Sequence, residues 1–400
     1  MQRGTFQLMK SVNKSLVLNK IRTSEPISRA QIAKETNLTP PTVSNIVKEL
    51  IHEGMVREST LGESQGGRKP TLLLINHDAF YIAGVDAGPY TIDCILADLS
   101  GKMIARTTSE PMAADVTREQ FLSLLKKGIR SVLQSVSDPR KVVGIGVAMH
   151  GVVDVEGGMS LVAPNLNLQA IPIKDELEAE FGVVVKVEND ARAMALGEAW
   201  FGDHGAKSSM LAVNLGRGVG AGLVVDGKLY HGAMDIAGEV GHMTIDLNGE
   251  QCECGSRGCL QTFATGDAIA RRAKAVLKDA ANSSDKTDSL GQRSELTGEQ
   301  VYQLAANGHT QLAEVLRETG TIIGIGLTNL IHAINPELIV LGGGVTKAKD
   351  FILPAIRRVI ESRGLTTEAK QTPVVVSKLG DDATLLGAVS LLLVELFDPR

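Results

Sequence analysis

Gly238-Glu239-Val240-Gly241-His242 and, ten residues further on, Cys252-Glu253-Cys254-Gly255-Ser256-Arg257-Gly258-Cys259 carry the most specific chemistry in this chain. Three thiols and an imidazole make the Cys3His donor set of a closed tetrahedral zinc site, and Gly255 and Gly258 let the loop fold back on an ion. The expectation is one structural Zn2+ held by His242, Cys252, Cys254 and Cys259. Unpaired buried thiols are the competing reading, which three cysteines within eight residues disfavour. Cys94, on an apolar strand, reads as plain core.

Working outward, an apolar strand over 183–187 runs into a helix over 190–200, and Glu188-Asn189-Asp190 straddles the handover. Asp190 therefore stands at a strand's C-terminal end and a helix N-terminus, a usual place for a ligand. A carboxylate and an amide there can chelate neighbouring sugar hydroxyls, and beside a phosphoryl donor Asp190 could also deprotonate one. A helix cap is the plainer alternative. Strands over 81–85, 92–98, 103–107, 142–148, 210–215, 222–225, 338–341 and 374–377, with helices over 121–136, 311–332, 351–363 and 383–396, make an α/β body. Gly-rich turns at 215–222 and 341–344 lack Walker or Rossmann spacing, and suit a phosphate or a tight hairpin equally well. Residues 281–297 are polar and turn-rich and are expected to form an exposed, mobile insertion.

The first 80 residues have a different texture. A helix over 6–22, with Leu8, Val12, Leu16 and Ile21 at helical spacing, is followed by a second that starts at Ser28 with Gln31 three residues on, the pairing of a capping box. After a short turn, Thr39-Pro40 opens a third helix as N-cap and first helical residue. Val43, Ile46, Val47 and Leu50 define its buried face, which leaves Thr42, Ser44, Asn45 and Lys48 outward. A Gly/Ser-rich tip and Arg68-Lys69 then precede a strand over 71–75. The pattern is a winged helix-turn-helix, with Thr42, Ser44, Asn45 and Lys48 set for a major groove, and Arg29, Arg68 and Lys69 for phosphates or a minor groove. A small three-helix domain with solvated polar groups would account for each feature but not for their order.

Composition sets the outer limits. Of 400 residues 43% are apolar, 22% charged and 3% aromatic, which excludes global disorder, and no apolar run is long enough to span a bilayer. The first 20 residues have no secretory signature, and four cysteines cannot build a disulfide framework, so a soluble cytoplasmic protein is expected. Residues 1–80 hold eleven Lys/Arg against seven Asp/Glu, a balance of +4, within a total of −5. A basic head on an acidic body suits a chain whose head alone meets a polyanion.

Together these motifs resemble the ROK family, which groups bacterial sugar-responsive repressors with sugar kinases, and within it the repressor branch of the xylose-repressor and N-acetylglucosamine-repressor type. The likeness rests on the Glu-x-Gly-His and Cys-x-Cys-Gly-x-x-Gly-Cys segments occurring together. It implies a winged helix on residues 1–78, then an actin-like (ribonuclease H-like) two-lobed sugar-kinase fold. The first lobe would hold 79–195 and 380–400, the second 196–379 with the zinc loop and sugar cleft. It also implies that Asn165, Asn189, Asp190, Glu239 and His242 face a sugar, with Asp190 at the position of the kinases' catalytic base. The chain departs from the kinases at both phosphate loops. Asp-x-Gly-Gly-Thr becomes Asp86-Ala87-Gly88-Pro89-Tyr90, where Pro89 lacks an N–H, and Leu-Gly-Thr-Gly becomes Leu215-Gly216-Arg217-Gly218. Gln261 replaces a sugar-binding Glu found in many relatives. The resemblance with these departures implies a non-enzymatic, sugar-released repressor of a carbohydrate uptake or catabolic operon. As a homodimer or tetramer it would sit on an inverted-repeat operator, with no membrane partner. A sugar kinase that keeps a DNA-binding head is the alternative, and a regulator titrated by a protein partner is a third.

Overall fold

The structure is a computed structural model in which residues 12–61, 71–113, 115–205, 207–283 and 296–397 are described. Helices α1 (Val12–Ser24), α2 (Arg29–Thr36) and α3 (Pro40–His52) pack on a three-stranded sheet in the order β1 (Ile27–Ser28), β3 (Thr71–Ile75), β2 (Val56–Leu61). The Ser28 hydroxyl accepts from the Gln31 N–H and that of Thr39 from the Thr42 N–H, so both helices of the helix-turn-helix start where the caps predict. The second half of the capping box is absent, because the Gln31 amide turns to Glu35 instead. The inward face of α3 is Val43, Ile46, Val47 and Leu50, as the periodicity predicts. The face of α1 needs correction. Val17, Leu18 and Ile21 are buried while Val12 is 56% exposed and Leu16 half-buried. The buried face also carries Ser15 and Lys14, whose ammonium lies 2.6 Å from Glu53. Leu8 lies outside the described residues, as does the stretch expected to form the insertion, apart from its two ends.

The chain divides into two compact units, residues 1–190 with 385–400, and 191–384, so the winged helix groups with the first lobe. In the first unit β4 (Tyr81–Ala87), β5 (Ile92–Asp98) and β6 (Met103–Thr108) form an antiparallel meander. Then β7 (Val142–Met149), after helix α4 (Arg118–Leu133), adds parallel to β4. A small hairpin sheet follows, of β8 (Val152–Asp154), β9 (Met159–Ala163) and β10 (Leu168–Ile171). After α5 (Ile173–Phe181), β11 (Val184–Asn189) adds parallel to β7. The five-stranded order is thus β11-β7-β4-β5-β6.

The second unit repeats the plan. After α6 (Asp190–Phe201), β12 (Ser209–Leu215), β13 (Val219–Val225) and β14 (Lys228–Tyr230) make the meander. Helices α7 (Gln261–Ala264), α8 (Gly266–Ser283), α9 (Gly298–Ala306) and α10 (Thr310–Ile334) lead to β15 (Leu338–Gly342), parallel to β12. Then α11 (Lys349–Arg363) and α12 (Thr367–Lys370) lead to β16 (Val374–Val376), parallel to β15, and α13 (Ala383–Phe397) ends the described chain. A three-stranded meander extended by two parallel strands, built twice, is the actin-like arrangement expected. The helices α5, α8 and α9 and the β8–β10 sheet go beyond what periodicity predicted. Most of α13 packs on the first sheet so closely that a Cβ on Gly146 would strike the Ala388 backbone.

Candidate functional site

The zinc-type loop is assembled by its own backbone. A short 3-10 turn, Val240–His242, presents the imidazole, and the isolated bridges Thr244↔Cys259 and Gln251↔Arg257 fold the cysteine segment back toward it. The turn closes through Gly255 N–H to Cys252 O (2.9 Å) and Cys252 N–H to Ser256 O (2.7 Å). All four ligand atoms of His242, Cys252, Cys254 and Cys259 then lie within 4.8 Å of one another. Cys254 Sγ is 3.7 Å from Cys259 Sγ, and Cys252 Sγ is 3.7 Å from His242 Nδ1. A tetrahedron with zinc–sulfur bonds of about 2.3 Å and zinc–nitrogen bonds of about 2.0 Å has edges of roughly 3.6–3.8 Å, so these two separations match its edges and the donor set matches the ion in kind. The Ser256 N–H holds the exposed Cys254 thiol down to about 6, while burial and the neighbouring thiols push Cys259 up to about 12, so Cys254 offers a thiolate near neutral pH and Cys259 gives up its proton only against a cation.

Gln261 is explained by this loop. Its amide donates to Cys252 Sγ at 3.3 Å, which a carboxylate at that position could not do toward a thiolate. On the other ring nitrogen, His242 Nε2 faces Glu239 Oε2 at 3.9 Å. Glu239 is carried on a loop tied down twice. Gly238 has φ +101°, a Cβ there would fall on the Ala221 carbonyl oxygen, and the Ala221 N–H donates to Gly238 O at 2.8 Å. Arg192, fully buried on α6, donates from Nη1 to Asp235 O at 2.7 Å. Sequence reasoning missed Arg192 because a charge two residues into a helix looks like surface; its burial comes from a loop more than forty residues away.

In the first unit, the C-terminal ends of β4, β7 and β11 are in register: Ala87 and Asn189 both pair with Met149. Asn189 is buried and its Nδ2 donates to Gly151 O at 3.0 Å, while Asp190, half-buried, begins α6. Asp86 shares these strand ends, and burial pushes its carboxyl up to about 7, helped by the charges of Asp190 and Asp93. The buried His150, which sequence reasoning also missed, hydrogen-bonds Ala87 O through Nδ1 at 3.2 Å. The Asn165 side chain lies outside the described residues, although its backbone is in the short 3-10 turn Pro164–Leu166.

Of the two departures at the phosphate loops, Pro89 and the exposed Tyr90 lie in the turn from β4 to β5, whereas Arg217 is exposed at the tip of the β12–β13 hairpin. The Gly-rich 215–222 segment is therefore a hairpin. A cavity of about 300 Å³ opens beside its tip, lined by Arg217, Asp267, Glu299, Tyr302 and Lys347. A larger one, about 600 Å³, lies by Arg357, Lys370 and Val374 and touches none of the candidate residues.

On the helix-turn-helix, Asn45 and Lys48 are exposed and Thr42 and Ser44 half-buried, with the Thr42 and Thr39 hydroxyls 2.8 Å apart. Arg29 is paired with Glu58 of β2 at 2.8 Å. Arg68 and Lys69 lie outside the described residues.

The ROK family model matches residues 82–395, more than three quarters of the chain, and the MarR family model matches residues 11–63. The chain belongs to the ROK family. Among ROK relatives, the xylose repressor of Caldicellulosiruptor bescii is 36% identical over 391 residues, covering 98% of this chain and 97% of the relative. The DNA-binding transcriptional dual regulator NagC of Escherichia coli is 31% identical over 391 residues, 98% of this chain and 94% of NagC. A solved ROK family transcriptional regulator, a homolog of the E. coli MLC protein, has a TM-score of 0.85 at 28% identity and covers 98% of this chain and 97% of its own. A ROK family glucokinase from Streptomyces griseus, solved with glucose and AMPPNP, has a TM-score of 0.69 at 28% identity and covers 78% of this chain and 98% of its own. The chain carries a winged helix ahead of a sugar-kinase fold.

Proposed function

We propose that this chain is a sugar-responsive transcriptional repressor of a carbohydrate uptake or catabolic operon. The observation that carries the reading is end-to-end likeness to repressors, with an exposed Asn45 and Lys48 on a capped recognition helix ahead of a kinase-like body. Asn189 and Asp190 chelate sugar hydroxyls, with Asn165, Glu239 and His242 as further contacts, and sugar binding releases the operator. His242, Cys252, Cys254 and Cys259 hold one zinc ion, whose part is structural: it fixes the loop on which Glu239 and the His242 imidazole are presented. The repressor acts as a homodimer or a pair of dimers, each subunit placing α3 in one half-site of an inverted repeat, with Arg68 and Lys69 on the flanking phosphates.

The chain does not transfer phosphate. Pro89 removes a backbone N–H from the first loop, Tyr90 replaces a small hydroxyl, and Arg217 replaces the second loop's Thr. Among the described residues no helix is long and apolar enough to cross a membrane. As a regulator on operator DNA, the chain works in the cytoplasm. The test is a thermal-shift panel of D-xylose, D-glucose and N-acetyl-D-glucosamine, run beside an ATP-turnover assay with each. A ligand that binds only the folded chain raises stability by RT ln(1 + [L]/Kd), about 2.7 kcal/mol at a hundredfold excess over Kd. A sugar-specific rise without turnover supports the repressor; turnover of ~1 to 100 per second abolished by Asp190→Asn would make it a kinase.

A further inference from the structure

His150 lies at the end of β7, 6% exposed, in the middle of the first unit's candidate sugar residues. Its neighbour Gly151 accepts a hydrogen bond from the Asn189 amide, and on the other side a Cβ on Gly151 would meet the ring of Pro164, next to Asn165. The peptide before it, at Met149, pairs with both Ala87 and Asn189. The ends of three strands thus lie side by side next to His150, with Asp86 near the end of β4 and Asp190 directly after β11.

The imidazole is half-satisfied. Nδ1 is 3.2 Å from the Ala87 carbonyl oxygen, an acceptor, so Nδ1 carries the hydrogen. That leaves Nε2 with a lone pair, and Nε2 is buried with no hydrogen-bond partner among the described residues. Burying such a nitrogen is unfavourable unless a donor reaches it. Of the nearest groups, the Asn189 amide donates to Gly151 O and the Ala87 carbonyl only accepts, so no donor among the described residues reaches Nε2. A hydroxyl-rich ligand can supply one, because each hydroxyl donates one hydrogen and accepts others.

We propose that His150 is a specificity-determining residue of the sugar site, its Nε2 accepting a hydrogen bond from one particular hydroxyl of the effector. The assignment rests on the repressor reading above and goes beyond it in naming a residue that selects among sugars. A site built to pair with a hydroxyl rejects an analogue lacking it, because the buried nitrogen is left without a donor. Asp190 and Asn189 grip any sugar with neighbouring hydroxyls, whereas His150 reads one position.

The experiment uses the full-length, zinc-containing chain. Calorimetric titrations with D-xylose, D-glucose and N-acetyl-D-glucosamine, and with the monodeoxy analogues of whichever binds, compare wild type with His150→Leu, His150→Gln and Asp190→Asn. His150→Leu is expected to weaken the bound sugar 10- to 100-fold while leaving the sugar-free melting temperature unchanged or raised. His150→Gln, which keeps an acceptor, should recover part of the loss. One monodeoxy analogue should bind wild type more weakly than the parent sugar yet bind the Leu variant as well as the parent does. In wild type the Nε2 nitrogen resonance of His150 should shift on saturation, a readout that needs no variant to fold. If Asp190→Asn abolishes binding while His150→Leu stays within twofold of wild type, or the Nε2 resonance does not move, the assignment is wrong and the sugar reading stands. If none of the sugars binds wild type, the sugar reading falls and takes this assignment with it.

Discussion

A carboxyl whose folded pKa is about 7, as that of Asp86 is, keeps its proton in the folded chain at pH values where the unfolded chain has already lost it. Between about pH 4 and 7 the folded state binds more protons at this site, so its contribution to stability falls as pH rises through that window. Asp86→Asn should therefore stabilise the sugar-free protein at pH 8, by about 1–2 kcal/mol after allowance for the solvent access of a half-buried group, and by much less at pH 4. Thermal unfolding at the two pH values checks it; equal effects would mean that Asp86 is not strained by its neighbours. At this scale the sequence was legible where chemistry is local. Cys252, Cys254 and Cys259 lie close enough in the chain to announce a metal loop, and Asp190 announces itself through its strand-to-helix position. Arg192 and His150 were silent because their partners, the Asp235 and Ala237 carbonyls and the Ala87 carbonyl, become neighbours only through folding, and Gln261 stood out only as a departure because its partner, the Cys252 sulfur, is likewise brought to it by the fold.

Among elements, α3 and the zinc loop each make a claim that can fail. Lys48 is exposed one turn along α3 from Asn45 and Ser44, so Lys48→Ala should weaken operator binding for every sequence and reduce the log-log salt slope by about one unit. Asn45→Ala should instead relax the preference at one base pair, worth about 1–3 kcal/mol of discrimination. Filter binding over a salt series, with single-base operator variants, separates the two; equal behaviour would remove α3 from the major groove. For the loop, metal analysis of chelator-free protein should find about one zinc per chain. Cys254→Ser should lose the metal and lower the melting temperature by roughly 5 °C or more, since the cysteine segment carries no regular secondary structure of its own beyond two isolated bridges. Elements with strong caps or strict periodicity, such as α3 and β5, could be placed from sequence to within a residue or two. The stripe of α1 could not, because its buried face includes the polar Ser15 and Lys14, the latter paired with the distant Glu53.

For the whole molecule, control of DNA by sugar requires that the head feel the state of the body. The physical link is in the first unit. Arg22 of α1 lies 5.5 Å over the Phe397 ring at the end of α13, and Glu25 accepts from the Ile75 N–H at 2.6 Å and faces His77 Nε2 at 3.1 Å. The His77 carbonyl in turn accepts from the Leu99 N–H at the end of β5. The winged helix is thus fastened to the sheet whose strand ends carry Asp190. A sugar can shift the DNA-binding equilibrium only by binding one state of this assembly better than the other, and couplings of this kind are usually about 1–3 kcal/mol. The measurement that tests the account most directly is operator affinity with and without the sugar found by thermal shift, for wild type and Asp190→Ala. Sugar is expected to weaken wild-type binding roughly 5- to 150-fold and to leave the variant, which binds DNA but no sugar, unmoved. A variant that has lost sugar binding and still leaves its operator when sugar is added would contradict it.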